Sequence, residues 1–262
     1  MTTLTIDIGN TFVKYDFWNN DGLLFRETQQ SPDFETISEW VRKLDIKGVI
    51  ICSVRKDIEQ LVENLKARTE CEVIVNFNRE EISKLKKIIF YNGNIGADRI
   101  AAYLGAVVQF PYEPLLIIDA GTAITLDIAD KEGNYCGGNI SLGLTTRMKA
   151  LALSTHLLPE VNDVDLCPDF GNDTITAIQA GARNGVEGEV SYTIALAKKD
   201  FNVRWVVLTG GDADKITITH IEQKNDINYL KDKFLVGRGL NYHLRKFYFP
   251  EEFLYTKFQQ NT

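Results

Sequence analysis

Two short segments of the chain each combine an aspartate with a glycine and small polar residues, which suits phosphate binding beside a cation. The first reads TIDIGNTFVK and contains Asp7 and Lys14, and the second reads IIDAGTAITL and contains Asp119. A glycine in a tight turn lets backbone N–H groups approach an anion closely. A carboxylate instead prefers a hard cation. A lysine next to such a turn can neutralise the charge of a phosphoryl group during transfer.

The two segments resemble each other in their context as well as in their residues. Each carries the pattern D-x-G followed by a polar and a small residue, and each lies between two β-prone stretches. A single turn of this kind is a common hairpin signal that needs no ligand. The repetition indicates an internal duplication, with two phosphate-binding hairpins brought together across a cleft. A Walker loop is absent from the sequence.

The rest of the chain alternates strand and helix patterns, which is typical of an α/β protein. Near the amino terminus three β-prone stretches predict a meander, and the segments FETISEWVRKL and IEQLVENLKART show helical periodicity around the strand pattern KGVIICSV. The second half predicts strands at GNYCGGNI and VRWVVLTGG, a helix near TTRMKALAL and a long helix from about Asp173. We therefore predict two α/β domains with mixed sheets, residues 1–112 and 113–262.

A third segment, GADRIAAYLGAVV, lies between the two turns and predicts a helix that begins near Ala97. Its first turn holds Asp98 and Arg99. An aspartate at a helix start is favoured by the helix dipole whatever its function. Beside an arginine it can also accept a hydroxyl proton while the guanidinium holds an anionic substrate. The predicted buried stripe of this helix consists of Ile100, Tyr103, Leu104, Val107 and Val108.

Several small residues in the second half have two interpretations each. Thr174 either only starts the long helix or offers its hydroxyl to a ligand. The pair Gly210 and Gly211 forms either a plain tight turn or a surface for an adenine ring. Three glycines share one face of the long helix and indicate close packing on the sheet or a subunit interface; they are Gly181, Gly185 and Gly188.

The overall composition favours small-molecule chemistry in the cytoplasm. The chain has 262 residues with a net charge of -7, which argues against general binding to nucleic acid or to an anionic membrane. The 4 cysteines show no metal-binding spacing and are expected to be reduced thiols. We also expect no signal peptide, because Asp7 interrupts the first apolar stretch and no basic region precedes it. We expect no membrane span, because no apolar run approaches the required length.

Taken together, these motifs resemble the type III pantothenate kinases of the actin-like, sugar-kinase and heat-shock-chaperone ATPase superfamily. The resemblance runs through DIGNTFVK, GADR, DAGTA, GGNISLGL, NDT and TGG and so spans most of the chain. GADR between the two turns is its most specific element. The chain departs from the usual pattern at Ala120, at Ser141 and in the loop from Tyr91 to Gly96.

The resemblance implies two actin-like, ribonuclease H-like domains and transfer of the ATP γ-phosphoryl group to pantothenate, the first step of coenzyme A synthesis. It also implies Mg²⁺, with Asp7 as a possible ligand through water, a K⁺ or NH₄⁺ ion at Asp119, and a homodimer. Asp98 would be the proton acceptor. The residues implied for the ATP phosphates are Asp7, Ile8, Gly9, Asn10, Thr11, Phe12, Val13, Lys14 and Thr122. Those implied for pantothenate are Tyr91, Gly96, Ala97, Asp98, Arg99 and Thr174.

Two other functions remain open from the sequence. A kinase for another small hydroxy acid or sugar would use the same ATP-binding turns. A non-catalytic protein of the same fold, for instance a transcription accessory factor or a chaperone-like switch, would use nucleotide only as a signal. The pair of Asp98 and Arg99 favours the enzyme.

Overall fold

In the computed structural model the chain forms two compact units, each built around one mixed sheet. The first comprises Met1–Gln109 with the chain from Phe234 onward, and the second comprises Phe110–Lys233. The structure describes residues 1–55, 58–87, 95–163, 168–217 and 227–253.

The first unit opens with the predicted meander and continues in a βαβ pattern. The core lies between the sheet and two of the helices, where Leu4, Ile6 and Ile51 are completely buried. The elements are β1 (Thr2–Ile8), β2 (Val13–Trp18), β3 (Leu23–Gln29), α1 (Phe34–Lys43), β4 (Ile46–Ser53), α2 (Glu59–Arg68), β5 (Val73–Asn76), α3 (Arg79–Ser83), α4 (Ala97–Gln109) and, after the second unit, α7 (Leu235–Tyr248).

The second unit repeats this plan and includes one helix of 28 residues. Its core packs α6 and α5 against the sheet and includes Leu116, Met148 and Val190. The elements are β6 (Leu115–Ala120), β7 (Ala123–Ala129), β8 (Tyr135–Leu142), α5 (Leu144–Ser154), α6 (Thr174–Phe201), β9 (Trp205–Thr209), a short 3₁₀ helix (Ala213–Lys215) and β10 (Asn228–Lys231).

The two sheets have the same topology, which confirms the duplication predicted from the paired turns. The first sheet has the order β3-β2-β1-β4-β5, and the second, read from its other edge, has the order β8-β7-β6-β9-β10. In both sheets the first three strands in this order are antiparallel to their neighbours. The last two strands run parallel to the central strand, which is β1 in the first sheet and β6 in the second. β1 therefore corresponds to β6, and the aspartate of each turn lies near the end of an equivalent strand.

The domain boundary differs from the predicted one because the chain returns to the first unit at its end. We predicted that residues 113–262 form one domain, whereas α7 packs against α4, β1 and β4 of the first unit. Two glycines allow the helices to approach closely. A Cβ on Gly105 would lie 2.1 Å from the carbonyl oxygen of Leu235, and one on Gly239 would lie 1.9 Å from that of Ala101.

No helix within the described residues is long and apolar enough to cross a membrane.

Candidate active site

The first turn holds Asp7 and Lys14 side by side at the end of β1. These residues face each other across the antiparallel strands β1 and β2, and Lys14 Nζ lies 3.4 Å from Asp7 Oδ2. The turn closes with a hydrogen bond from the Gly9 N–H to the carbonyl of Phe12, at 3.0 Å. Asp7 is only 8% exposed, so its carboxylate is held beside the lysine and largely shielded from solvent.

The accessible part of this turn is smaller than the sequence indicated. Ile8 and Val13 are completely buried in the core. Both side chains therefore anchor the turn to the core and present no surface to a ligand. This differs from the prediction that they belong to the phosphate-binding residues. Asn10, Thr11 and Phe12 are exposed, and Gly9 is partly exposed.

Arg55 also contacts this turn, although the sequence analysis did not single it out. Its guanidinium donates hydrogen bonds to the carbonyl oxygens of Gly9 and Asn10, at 2.7 and 3.2 Å. The sequence did contain one signal for this contact. Arg55 follows β4, and the βαβ pattern places that strand beside β1.

Asp98 lies in the first turn of α4, which begins at Ala97 as predicted. The absence of a side chain at Gly96 makes room for the carboxylate, since a Cβ there would lie 2.5 Å from Asp98 Oδ1. Burial raises the pKa of Asp98, and the negative charge of Asp7 adds to this effect, against hydrogen bonds from the backbone N–H groups of Arg99 and of Asp98 itself. The structure thus brings Asp98 within electrostatic reach of Asp7.

Cys52 lies in the interior of the first unit and is affected by the charges of both acids. It is completely buried on β4 directly beside Asp7. Burial raises the pKa of the Cys52 thiol, and the charges of Asp7 and Asp98 raise it further. The thiol is therefore neutral and unreactive, as expected for a structural cysteine.

The remaining residues of the GADR helix depart in part from the predicted pattern. Arg99 is 6% exposed, so most of its side chain lies inside the first unit. Of the predicted buried stripe, Ile100, Tyr103 and Leu104 are buried, whereas Val108 is 36% exposed near the end of the helix. The expected substrate contact Tyr91 lies outside the described residues.

The second turn differs from the first in length and in the residue that faces its aspartate. Asp119 pairs with Thr125 across β6 and β7, where Asp7 pairs with Lys14 in the first unit. The second turn closes with a hydrogen bond from the Gly121 N–H to the carbonyl of Ala123, at 2.9 Å. No lysine therefore faces Asp119 at the equivalent position, and the duplicated turns provide different charges.

Two neighbouring segments contact the second turn, mainly at its backbone carbonyl groups. The carbonyl of Thr122 accepts hydrogen bonds from the Gly143 N–H at 3.0 Å and from Thr146 Oγ1 at 2.7 Å. On the other side, Gly210 has a φ of +98°, and a Cβ there would lie 2.2 Å from the carbonyl oxygen of Ala120 and 2.5 Å from Asp119 Oδ1. The TGG segment therefore packs directly on the turn that carries Asp119.

The two positions that depart from the family pattern have defined environments. Ala120 is completely buried under the turn. The hydroxyl of Ser141 accepts a hydrogen bond from Arg147 at 3.3 Å, and Arg147 also forms an ion pair with Glu189.

Thr174 is the first residue of α6 and is exposed. Asp173 caps this helix by accepting a hydrogen bond from the Thr176 N–H at 2.8 Å. The Thr174 side chain therefore does not act as the helix cap. It lines an apolar groove of about 380 Å³, whose other lining residues are Leu151, Leu158, Ala177, Ile178, Gly181 and Ala182.

The glycine face of α6 does not pack on the sheet. A Cβ at Gly181 or Gly188 would meet nothing within 4 Å, and one at Gly185 would meet only the Arg147 guanidinium, at 3.2 Å. Packing on the sheet, one of the two explanations considered, is therefore wrong for these glycines.

Within the described parts of the chain, no group of three or more His, Cys, Asp or Glu side chains could enclose a metal ion. Asp7 and Asp119 each supply a single carboxylate. Such a donor set fits an ion that keeps water and substrate oxygens in its coordination shell, as Mg²⁺ usually does.

The sequence matches the family model of the type III pantothenate kinases over residues 3–196. A type III pantothenate kinase of Bacteroides fragilis is 35% identical over 240 residues, covering 91% of this chain and 95% of that protein.

Two solved structures share the fold at low sequence identity. The ROK hexokinase from Thermus thermophilus is 15% identical with a TM-score of 0.53, covering 93% of this chain and 98% of that one. The activator of the 2-hydroxyisocaproyl-CoA dehydratase from Clostridium difficile, solved with bound ADPNP, is 14% identical with a TM-score of 0.52, covering 100% of this chain and 97% of that one. The fold is therefore that of the actin-like ATPases and sugar kinases. With its motifs and the match to the family model, the chain belongs to the type III pantothenate kinase family.

Proposed function

We propose that this chain transfers the γ-phosphoryl group of ATP to the terminal hydroxyl of pantothenate, giving 4'-phosphopantothenate in the first step of coenzyme A synthesis. Family membership over residues 3–196 supports the choice of substrates. The main support for the proton transfer is the position of Asp98 in the first turn of α4, where burial and the charge of Asp7 raise its pKa.

The first turn binds the phosphates. Its exposed residues Asn10, Thr11 and Phe12 present backbone and side-chain groups at the end of β1, and Lys14 lies beside them. In a loose phosphoryl-transfer transition state, catalysis comes mainly from positioning and from cancelling charge on the transferred group. Lys14 supplies that charge, and its contact with Asp7 fixes the position of the ammonium group. Thr122 in the second turn is likewise proposed as a phosphate-binding residue.

Asp98 accepts the proton of the pantothenate hydroxyl. The hydroxyl oxygen forms a bond to the γ-phosphorus as the bond from that phosphorus to the β–γ bridging oxygen breaks, and ADP leaves. The alcohol becomes acidic only late in this step, so an aligned carboxylate is sufficient. A raised pKa makes Asp98 a stronger base than an ordinary aspartate, while Arg99 and Thr174 contribute to binding pantothenate.

Bound Mg²⁺ would supply further neutralisation of the phosphate charge. Asp7 would hold it through water, and Asp119 would hold a monovalent cation, K⁺ or NH₄⁺. Both residues present hard carboxylate oxygens, which these ions prefer. The different partners of the two aspartates, Lys14 and Thr125, support this division of roles.

A homodimer accounts for the exposed apolar and glycine-lined surface of the second unit. Besides the open glycines of α6, Leu153 is 88% exposed and Tyr192 is 67% exposed. Exposed apolar surface can mark an interaction site, and we propose that this surface forms the dimer contact. We expect sedimentation to give a dimer for the native chain and a monomer for Leu153→Asp; a native monomer would contradict this assignment.

The direct test uses purified protein with ATP, Mg²⁺, K⁺ and pantothenate, and detects a phosphorylated pantothenate by mass spectrometry. We expect product that requires both ATP and pantothenate. No product would reject the proposal. Phosphorylation of another hydroxy acid or sugar in a parallel panel would favour a different kinase, and ATP consumption independent of any alcohol would favour a nucleotide switch. As a biosynthetic kinase of a small metabolite, the protein would act in the cytoplasm.

A further inference from the structure

Arg55 reaches the first phosphate-binding turn from the neighbouring parallel strand. Ser53 pairs with Ile8 at the end of the β4–β1 ladder, and the Val54 N–H extends the ladder with a hydrogen bond to the Ile8 carbonyl, at 3.1 Å. The backbone then bends, because the Arg55 N–H donates to Ser53 Oγ at 3.0 Å and Ser53 Oγ donates to the Arg55 carbonyl at 3.1 Å. The side chain of Arg55 therefore begins close to the first turn.

The guanidinium of Arg55 binds three carbonyl oxygens from two segments. Nε donates to Gly9 at 2.7 Å, and Nη2 donates to Asn10 at 3.2 Å. Nη1 and Nη2 both donate to the carbonyl of Gln30, just after β3, at 3.3 Å. The planar fork of an arginine can make such bonds at once, which a lysine cannot.

These bonds determine where the N–H groups of the turn point. Peptide units are planar and almost always trans, so a carbonyl and the N–H of the following residue point in opposite directions. With the carbonyls of Gly9 and Asn10 held toward Arg55, the N–H groups of Asn10 and Thr11 face the other side of the turn. Those are the groups that an anion would contact, and the carbonyl oxygens that would repel it are turned away.

We infer that Arg55 is a positioning residue for phosphate binding, which orients the backbone N–H groups of the first turn without touching the nucleotide. The second unit has no arginine at the equivalent place, since there Gly210 follows the equivalent strand β9 and packs on the backbone of Ala120 and on the Asp119 carboxylate. The inference builds on the proposed function in that it takes the bound phosphates to be those of ATP.

Calorimetry with ADP and with adenosine tests the inference without the acceptor substrate. Arg55→Ala should bind ADP about tenfold more weakly, because the N–H groups lose their fixed direction, and should bind adenosine as the native protein does. In turnover assays the KM for ATP should rise while the KM for pantothenate stays unchanged. The matched control Arg42→Ala removes the same charge from the exposed face of α1 and should leave both affinities unchanged.

Arg55→Lys provides the second variant, because it keeps the charge and favours correct folding. It should recover only part of the ADP affinity, since one ammonium group cannot replace the fork across both carbonyls. Native ADP affinity in Arg55→Lys, or equal losses for ADP and adenosine in Arg55→Ala, would overturn the inference. Native protein that binds ADP but does not phosphorylate pantothenate would reject the proposed function and leave this test intact.

Discussion

Gly210 and Gly211 form an adjacent pair whose substitution by alanine should have very different effects. Gly210 has a φ of +98°, and its Cβ would lie 2.2 Å from the carbonyl oxygen of Ala120 and 2.5 Å from Asp119 Oδ1. At Gly211 a Cβ would meet nothing within 4 Å. The two substitutions add the same methyl group one residue apart, so the comparison isolates the contact with the second turn.

The cost at Gly210 has two sources. A non-glycine residue held at positive φ costs about 1–3 kcal/mol. The methyl group must also displace the backbone of Ala120, and overpacking of this kind costs about 1–3 kcal/mol. A total of about 4 kcal/mol lowers Tm by about 8–16 °C, given about 2–4 °C per kcal/mol for a protein of this size. Gly211→Ala should stay within about 0.5 kcal/mol of the native protein.

Differential scanning calorimetry without nucleotide measures both variants under the same conditions. Because the displaced group includes Asp119, Gly210→Ala should also lose activation by K⁺ in turnover assays at a temperature where it remains folded. Equal Tm values for the two variants would show that the TGG segment does not pack on the second turn as described, and the reasoning would fail.

Four further results are expected. Asp98→Asn removes the proposed proton acceptor at nearly constant volume, so turnover should fall by about 10²–10⁴-fold while ADP binding by calorimetry is retained; near-native turnover would reject Asp98 as the base. Because burial and Asp7 raise the pKa of Asp98 above 3.8 and only the unprotonated form is a base, kcat/KM should decline as pH falls through that raised pKa; a profile that remains flat down to 3.8 would contradict this. Adding K⁺ or NH₄⁺ to a sodium buffer should raise turnover in the native protein but not in Asp119→Asn, and a flat native response would remove the role of Asp119. Burial lowers the pKa of His243 below 6.5 despite its hydrogen bond to Glu81. Below pH 6.5 the unfolded chain therefore takes up a proton that the native state resists. The unfolding free energy should then fall by up to about 1.4 kcal/mol per pH unit until the folded pKa is reached. His243→Gln should flatten that slope in urea unfolding, and equal slopes would refute the assignment.

Local spacing was sufficient to predict the parts of the site that lie within single elements. The repeated D-x-G pattern predicted two equivalent strands that deliver Asp7 and Asp119, because a strand followed by a glycine turn is a local feature. The apolar periodicity after Asp98 placed the helix start at Ala97. The long helix was likewise expected from about Asp173, which is its cap.

Contacts between residues distant in sequence were decided only by the tertiary structure. The return of α7 to the first unit depends on Gly105 and Gly239, whose missing side chains let two helices approach, and no local pattern identifies such a pair. The role of Arg55 depends on β4 lying beside β1. The exposure of the glycine face of α6, and the burial of Ile8, likewise depend on what packs on each side of the element.

The sequence by itself therefore identified candidate residues such as Asp7, Asp98 and Asp119 and the elements in which they lie, because residue type, turn composition and periodicity are local properties of the chain. The tertiary structure decided the charge environment of Asp98, the partners that distinguish Asp7 from Asp119, and the orientation of the first turn by Arg55. Those properties depend on distances between strands and helices, and distances through space are set by packing.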